Sequence, residues 1–197
     1  MNIRSIELKH NDKRAQIIEA AIELFVSKGF QQTSMALISK ESGIAIGTIY
    51  HYFSGKDQLI QETYIYVTEK FGRAVAFEPE EMELDLRERF DLLWIKSYHF
   101  FVDHPNYFYF KDSLNYSPLI SKELRDESRR YYQIAFDLIK EGIEKGVFTK
   151  SHPVGLGSWI YNTILTPAQM KLRGEMEINH QTLKEFMAMT WKGLTTN

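Results

Sequence analysis

Apolar side chains recur every three or four residues along nearly the whole chain, which is the spacing of one face of an α-helix. The chain lacks paired runs of alternating polar and β-branched residues joined by Asn-Gly or Asp-Gly, the usual signature of a β-hairpin. The pattern therefore predicts an all-α protein. The first apolar set consists of Ile17, Ala21, Leu24 and Phe25.

Capping residues and glycines divide the N-terminal third of the chain into three short helices and a longer fourth one. The predicted helices run from an Asn11 or Asp12 cap to Gly29, from a Thr33 or Ser34 cap to Gly43, over residues 45–52, and from a capping box at Ser54 and Asp57 to about residue 74. We expect the fourth helix to connect two domains, and the acidic, proline-containing residues 77–81 to form a linker after it.

Five further helices are predicted beyond this linker. They run from an Asp85 cap to about residue 103, over 106–115, from Pro118 to Lys145, from Pro153 to about residue 173, and from an Asn179 cap towards the end of the chain. Ile178 and Leu183 flank the last cap as a hydrophobic staple. The layout predicts a small N-terminal domain, residues 1–55, and a helical bundle, residues 56–197, with helix 56–74 connecting them.

Composition narrows the classes of function. The chain has 197 residues and a formal net charge of −2. It contains no cysteine, and this absence excludes disulfide frameworks, zinc ribbons, iron–sulfur clusters and thiol nucleophiles. No apolar run approaches the roughly 18 residues of a membrane span, and the polar N-terminus lacks the apolar middle of a signal peptide. We therefore expect a cytoplasmic protein with no membrane partner.

Charge is unevenly distributed along the chain. Between Leu24 and Lys56 the only carboxylate is Glu41, and residues 1–56 hold seven Lys or Arg against five Asp or Glu. A region cleared of acidic groups is suited to lie against phosphate. The excess is only two charges, so chance is the alternative explanation.

Residues 33–56 have the pattern of a helix-turn-helix. Two short helices meet at Gly43, and glycine readily adopts the left-handed backbone of a sharp turn. The second helix is sized for the major groove of DNA. Lys56 lies in the first turn of the next helix, where the backbone N–H groups and the helix dipole favour phosphate. The second helix and its start carry Ala45, Ile46, Thr48, Tyr50, His51 and Tyr52.

The two runs AAIELFVSKGF and TSMALISKESGIAIGTIYHYFSGKDQL resemble the N-terminal domain of TetR-family transcriptional regulators, over about residues 12–65. The resemblance implies an N-terminal three-helix helix-turn-helix head, a helical body that binds a small-molecule inducer, and a homodimer on a near-palindromic double-stranded DNA operator. The matching positions are Ala20, Ala21, Phe25, Gly29, Phe30, Thr33, Ile38, Gly43, Gly47, Thr48, Tyr50, Phe53, Lys56 and Leu59.

Site residues carried over from the family fall into two groups. Residues that would contact phosphate are Thr33, Ser34, Tyr50 and Lys56. Residues that would lie along the bases are Ala45, Ile46, Gly47, Thr48 and His51, with Tyr52 beside them. Alternatives remain open, since Tyr50 and Tyr52 could be core aromatics, Lys56 a solvated surface lysine and Thr33 only a helix cap.

Three positions depart from the family pattern. Ala45 stands where serine is common, and Ala36 and Ile46 stand where polar or charged residues are common. These changes weaken hydrogen-bonded reading of the bases, and they keep open a helical interaction protein that does not bind DNA.

The predicted body is rich in aromatic residues, and helix bundles commonly build ligand cavities from such side chains with a few polar groups. Tyrosine and tryptophan combine an apolar ring with a polar tip, so they are better ligand candidates than phenylalanine. This composition indicates a bulky, partly apolar ligand, although aromatic residues at helical spacing are more often ordinary core. The candidates are Trp94, Tyr98, Tyr132 and Trp159.

The resemblance places the dimer interface on the last two helices, where two wide apolar stripes are present. A single stripe would pack against its own subunit, whereas two wide stripes leave apolar area for a partner. The stripes consist of Leu156, Trp159, Ile160, Thr163 and Ile164, and of Leu183, Phe186, Met187, Thr190 and Leu194.

Metal and enzyme chemistry have weak support in the sequence. His99 and Asp103 are one helical turn apart, and Glu177 and His180 form one Glu-x-x-His, whereas a di-iron bundle needs two such motifs. No nucleophile elbow or glycine-rich phosphate loop is present. We therefore predict a ligand-responsive DNA-binding regulator, most simply a repressor, without cofactor or resident metal. A helical-bundle metalloprotein is the alternative.

Overall fold

The computed structural model describes residues 3–115 and 117–195, with side chains from residue 12 onward. The all-α prediction is confirmed, because the described residues form α-helices and two short 3-10 helices, with one isolated β-bridge between Phe148 and Thr195. The α-helices are α1 (Ile3–Lys28), α2 (Met35–Ser42), α3 (Ile46–Tyr52), α4 (Lys56–Val75), α5 (Leu86–Asp103), α6 (Pro105–Ser113), α7 (Lys122–Ser128), α8 (Gln133–Glu144), α9 (Pro153–Leu172) and α10 (His180–Leu194). The 3-10 helices are Pro79–Glu83 and Arg129–Tyr132. No helix in the described ranges is both long and apolar enough to cross a lipid bilayer.

Side-chain caps begin α5 and α10 where the sequence predicts them. The Asp85 carboxylate accepts a 2.8 Å hydrogen bond from the Glu88 N–H, and the Glu88 carboxylate accepts one of 3.1 Å from the Asp85 N–H. At the start of α10, Asn179 Oδ1 accepts a 3.0 Å hydrogen bond from the Thr182 N–H. Each cap satisfies N–H groups that have no partner within the first helical turn.

Two helix starts differ from the prediction. Helix α1 begins at Ile3, so neither Asn11 nor Asp12 caps it. The residues before Asp12 include no glycine or proline, so nothing local prevents the helix from extending towards the N-terminus. At the start of α4, the Ser54 N–H donates a 2.6 Å hydrogen bond to Gln58 Oε1 instead of to Asp57.

The predicted single helix over residues 118–145 is wrong. The chain instead forms a turn, then α7, the 3-10 helix Arg129–Tyr132, and α8. The Arg125 guanidinium donates hydrogen bonds of 2.9 and 3.1 Å to the carbonyls of Leu114 and Ser117, which holds the turn against α7. Gly72 allows the backbone of the 3-10 helix to approach α4, since a Cβ there would lie 1.8 Å from the Tyr131 carbonyl oxygen. Tertiary contacts therefore interrupt a segment whose own periodicity is helical.

The chain divides into two compact units whose boundaries differ from the predicted 1–55 and 56–197. The first unit comprises the residues up to Val67 together with Asn106–Arg125, and the second comprises Thr68–Pro105 with the residues from Asp126 onward. One boundary thus falls inside α4. The other difference is that α6 and the turn after it pack with the N-terminal helices, because their side chains bury aromatic surface there.

The second unit is centred on α5, which packs against α8, α9 and α10. Four aromatic residues along one side of α5 are each about 1% exposed, as expected from their helical spacing. This aromatic row forms the core of the bundle. Its members are Phe90, Trp94, Tyr98 and Phe101.

Candidate nucleic-acid interface

Helices α2 and α3 form a helix-turn-helix, as predicted. Gly43 ends α2 with φ of +68°, the left-handed conformation that glycine adopts without steric cost. The turn is held by two side chains: Ser39 Oγ donates a 2.7 Å hydrogen bond to the Ile44 carbonyl, and Gln16 on α1 donates one of 2.9 Å to the Ser42 carbonyl. These bonds fix the direction in which α3 leaves the turn.

Of the two phosphate contacts predicted at the start of α2, one is exposed and the other is buried. Ser34 is exposed and caps the helix, with Oγ accepting a 3.2 Å hydrogen bond from the Leu37 N–H. Thr33 is fully buried, and its hydroxyl lies 2.8 Å from the Gly29 carbonyl and 3.2 Å from that of Leu24. The Thr33 side chain therefore joins the end of α1 to α2 and cannot reach phosphate, which corrects that assignment.

Helix α3 has an inner and an outer face. Ile49 is fully buried and Phe53, which follows the helix, is 1% exposed, so this side anchors α3 in the core. The opposite side presents Ile46, 42% exposed, and Tyr50, 52% exposed, which argues against a core role for Tyr50. The other predicted base contacts also reach the surface: Ala45, Gly47 and His51 are exposed, and Thr48 and Tyr52 are half-buried.

Lys56 is half-buried at the start of α4 and makes an internal contact. Its Nζ donates a 2.9 Å hydrogen bond to the Phe30 carbonyl in the loop between α1 and α2. An ammonium group carries three N–H donors, so this contact orients the charge without exhausting its hydrogen bonds. The sequence did not predict this link.

Helix α6 also packs against the helix-turn-helix head, although its residues fall within the predicted body, 56–197. Phe110 on α6 is fully buried, with its ring centroid 6.1 Å from that of Phe25 and 6.0 Å from that of Phe30. The aromatic run at residues 107–110 was the available signal, but an aromatic run does not reveal which unit it packs against.

A carboxylate between two phenols ties the same elements together. Glu19 Oε1 on α1 accepts hydrogen bonds of 2.7 Å from the Tyr66 hydroxyl on α4 and 2.5 Å from the Tyr107 hydroxyl on α6. Burial, and then the neighbouring carboxylate, raise the pKa of both phenols, which therefore remain protonated donors at neutral pH.

The four ligand candidates divide between interior and surface. Trp94 and Tyr98 are buried in the second unit with their rings stacked at a centroid distance of 6.1 Å. Trp94 Nε1 lies 3.4 Å from Thr163 Oγ1, whereas the Tyr98 hydroxyl has no hydrogen-bond partner among the described residues. Tyr132 is half-buried beside other aromatic rings. Trp159 is 42% exposed, so its assignment to an interior cavity is corrected.

Part of the predicted dimer stripe packs inside the protomer. Ile160, Leu183, Thr190 and Leu194 are each at most 8% exposed, because these residues fill the contact of α9 and α10 with the rest of the bundle. They are therefore not available to a second subunit, which corrects that part of the prediction. Ile164 of the same stripe is also buried, at 4% exposure. Of the remaining stripe residues, Trp159 is exposed and four are half-buried, namely Leu156, Thr163, Phe186 and Met187.

Two large apolar side chains of α9 and α10 are exposed, and one of them, Trp159, belongs to the predicted stripe. Trp159 is 42% exposed and Met189 is 60% exposed. The Trp159 ring lies against α10, since a Cβ on Gly193 would be 2.7 Å from it. Trp159 therefore packs against α10 beside Gly193 and remains partly exposed to solvent.

The metal candidates do not converge. His99, Asp103 and His180 are all exposed, and in the described part of the chain no three His, Cys, Asp or Glu side chains are grouped as a metal site.

Comparisons with known proteins agree with this geometry. The family described as "Bacterial regulatory proteins, tetR family" matches residues 17–63, which include the complete helix-turn-helix. The fatty acid metabolism regulator protein of Bacillus subtilis (strain 168) is 30% identical over 161 residues, covering 77% of this chain and 79% of that protein. This similarity therefore extends well beyond the helix-turn-helix.

Solved structures share the fold over nearly the whole chain. A TetR family transcription regulator from Marinobacter aquaeolei VT8 matches with a TM-score of 0.89 at 21% identity, covering 97% of this chain and 100% of that one. The regulator FadR from Bacillus subtilis in complex with stearoyl-CoA matches with a TM-score of 0.74 at 21% identity, covering 91% and 98%. At these identities the likeness establishes the fold alone.

Proposed function

Because this chain belongs to the TetR family of bacterial regulatory proteins, it is a transcription regulator and not an enzyme, and we propose that it is a repressor released from DNA by a small molecule. The observation that carries the proposal is the outer face of α3, which is exposed on a helix held rigidly by its buried side. An exposed second helix of this kind fits the major groove.

The proposed DNA contacts follow from exposure. Ile46, Thr48 and His51 would lie along the groove with Tyr52 beside them, together with the backbone at Ala45 and Gly47. Ser34 at the start of α2, Tyr50 and Lys56 would contact phosphate at the edges of the groove. The absence of carboxylates other than Glu41 between Leu24 and Lys56 supports this placement, since phosphate would meet little repulsion there.

A near-palindromic operator requires two heads, so we propose a homodimer formed through α9 and α10. Two heads reach successive major grooves when they are about 34–36 Å apart. Trp159 and Met189 supply the exposed apolar surface for a two-fold contact, with half-buried Phe186 between them in the sequence. A symmetric pairing of α9 and α10 would produce a four-helix interface.

For the inducer we propose a long acyl chain carrying a polar head, such as an acyl-CoA. The Bacillus subtilis relative is a fatty acid metabolism regulator protein, and a structural neighbour is FadR in complex with stearoyl-CoA. The aromatic bundle around Trp94 and Tyr98 suits an apolar chain. The buried Tyr98 hydroxyl, which lacks a partner among the described residues, would donate a hydrogen bond to an acceptor on the ligand.

Fluorescence anisotropy with DNA from upstream of the protein's own gene tests both parts of the proposal. We expect the purified protein to bind this DNA, and stearoyl-CoA to release it while free CoA does not. Tyr98→Phe should bind DNA normally but require a higher concentration of stearoyl-CoA for release, whereas Tyr109→Phe in the first unit should behave as wild type.

The possible results separate the alternatives. Binding to no DNA would favour a helical interaction protein, and DNA binding that acyl-CoA leaves unchanged would reject the proposed ligand alone. A stoichiometric metal in the purified protein would favour the metalloprotein alternative. A transcription assay on the same DNA distinguishes a repressor from an activator.

A further inference from the structure

We propose that Ile46 contacts the 5-methyl group of a thymine, so that each operator half-site contains a thymine at a fixed position opposite the start of α3. The inference rests on the proposed DNA-binding function and extends it to the kind of sequence that is recognised. It concerns one side chain and one chemical group.

Ile46 lies on the outer face of α3. It is the first residue of α3 and is 42% exposed, although isoleucine is among the residues most often buried. Ile49, three residues further on, is fully buried and fixes the rotation of the helix. Ile46 is therefore held outward by the packing of its own helix.

The neighbours of Ile46 make the start of α3 apolar. Ala45 occupies the N-cap position and makes no side-chain capping hydrogen bond, so it supplies no polar group there. A Cβ at Gly47 would have no atom within 4 Å, which leaves room for DNA to approach closely. Tyr50 lies one turn beyond Ile46 and is 52% exposed. Ile46 and Tyr50 therefore form an exposed ridge on the outer face of α3. The end of this ridge at the start of the helix is the apolar side chain of Ile46.

An apolar side chain can distinguish bases only through an apolar group. In the major groove, thymine alone among the four bases carries a methyl group, at C5. An isoleucine cannot read the hydrogen-bond donors and acceptors of the other base edges, but it gains energy by covering that methyl group. The scarcity of carboxylates near α3 favours DNA over a basic protein partner as the occupant of this surface.

Uracil substitution tests the contact, because uracil differs from thymine only by the missing methyl group. Each thymine of a bound operator half-site is replaced in turn by uracil, and the dissociation constant of the wild-type protein is measured. Burial of one methyl group is worth about 0.8 kcal/mol, so we expect about fourfold weaker binding at one position in each half-site. Uracil at other positions should have little effect.

Variants assign the methyl contact to Ile46. Ile46→Ala should bind the thymine and uracil operators with equal affinity at the sensitive position, whereas Ile46→Val should retain most of the difference. Met82→Ala, at an apolar residue that is 50% exposed outside the helix-turn-helix, is the control and should keep the full thymine preference. Circular dichroism checks that each variant is folded.

Different failures have different meanings. Equal binding of thymine and uracil operators at every position by the wild type overturns the inference but leaves DNA binding intact. A thymine preference that persists in Ile46→Ala also overturns it, since another side chain must then contact the methyl group. Failure to bind any DNA overturns the proposed function and this inference together.

Discussion

The Tyr107 hydroxyl donates a 2.5 Å hydrogen bond to Oε1 of Glu19, which joins residues 88 positions apart in the sequence. Tyr107 lies on α6 and Glu19 on α1, the helix that forms much of the core of the helix-turn-helix head. The Tyr66 hydroxyl on α4 donates to the same oxygen. The carboxylate therefore holds three helices of the first unit together through charge-assisted hydrogen bonds.

Removing one of these phenols should destabilise the protein. Tyr107→Phe keeps the ring but loses the donor, and hydrogen bonds to charged groups are worth more than neutral ones, so we expect the free energy of unfolding to fall by about 1.5 kcal/mol. Urea denaturation followed by circular dichroism measures the change. Tyr109→Phe, on the same helix, is the control and should change the free energy of unfolding much less. Equal decreases for the two variants would mean that the hydrogen bond from Tyr107 to Glu19 does not stabilise the protein.

Lys111 predicts a pH dependence of stability. Its Nζ lies 3.8 Å above the centroid of the Tyr64 ring. Burial, and then the positive charge of Arg125, lower the pKa of Lys111 from its ordinary value of 10.5 to about 7. At a pH between these two pKa values, Lys111 is protonated in the unfolded chain but not in the folded protein. The free energy of unfolding should therefore rise as the pH increases from 7 towards 10.

The comparison with a variant isolates this contribution. Lys111→Met has no group to titrate, so its stability relative to wild type should be greatest near pH 7 and should diminish as the pH rises. Lys122→Met, at an exposed position, should follow the wild-type profile. Urea titrations at pH 7, 8 and 9 provide the data, and parallel profiles for wild type and Lys111→Met would contradict the prediction.

Lys56 should contribute charge to DNA binding rather than sequence preference. Lys56→Gln loses the charge but keeps a side-chain donor that can face the Phe30 carbonyl. We expect binding to weaken on all DNA sequences and the salt dependence of log K to flatten by about one unit. Lys184→Gln, exposed on α10, is the control. A changed sequence preference with an unchanged salt dependence would show that Lys56 does not contact phosphate.

The proposed dimer interface can be tested by placing a charge at an exposed and at a buried residue of α10. Met189→Glu places a charge on an exposed apolar surface, so the protomer should remain folded while the dimer dissociates and specific DNA binding is lost. Leu194→Glu buries an unpaired charge in the protomer core and should prevent folding. Sedimentation and circular dichroism distinguish the two results. An intact dimer of Met189→Glu would reject this placement of the interface.

Several features of the protein are determined by residues close together in the sequence. The turn at Gly43, the Ser34 cap of α2, and the caps at Asp85 and Asn179 depend on backbone conformation and hydrogen bonds within a few residues. Such contacts form in the same way whatever the rest of the fold does, so the all-α class and the helix-turn-helix could be predicted. The family resemblance of residues 12–65 rests on these same local positions.

Other features depend on which distant segments meet, and only the tertiary structure decided them. The Thr33 hydroxyl donates its hydrogen bond to backbone carbonyls at the end of α1. Through Phe110 and Tyr107, α6 packs with the head and not with the helical bundle. The periodicity of α10 shows that Leu194 belongs to an apolar stripe, but not whether its own subunit or another covers that stripe. Side-chain spacing specifies a face of a helix, whereas the partner of that face depends on contacts between residues far apart in the chain.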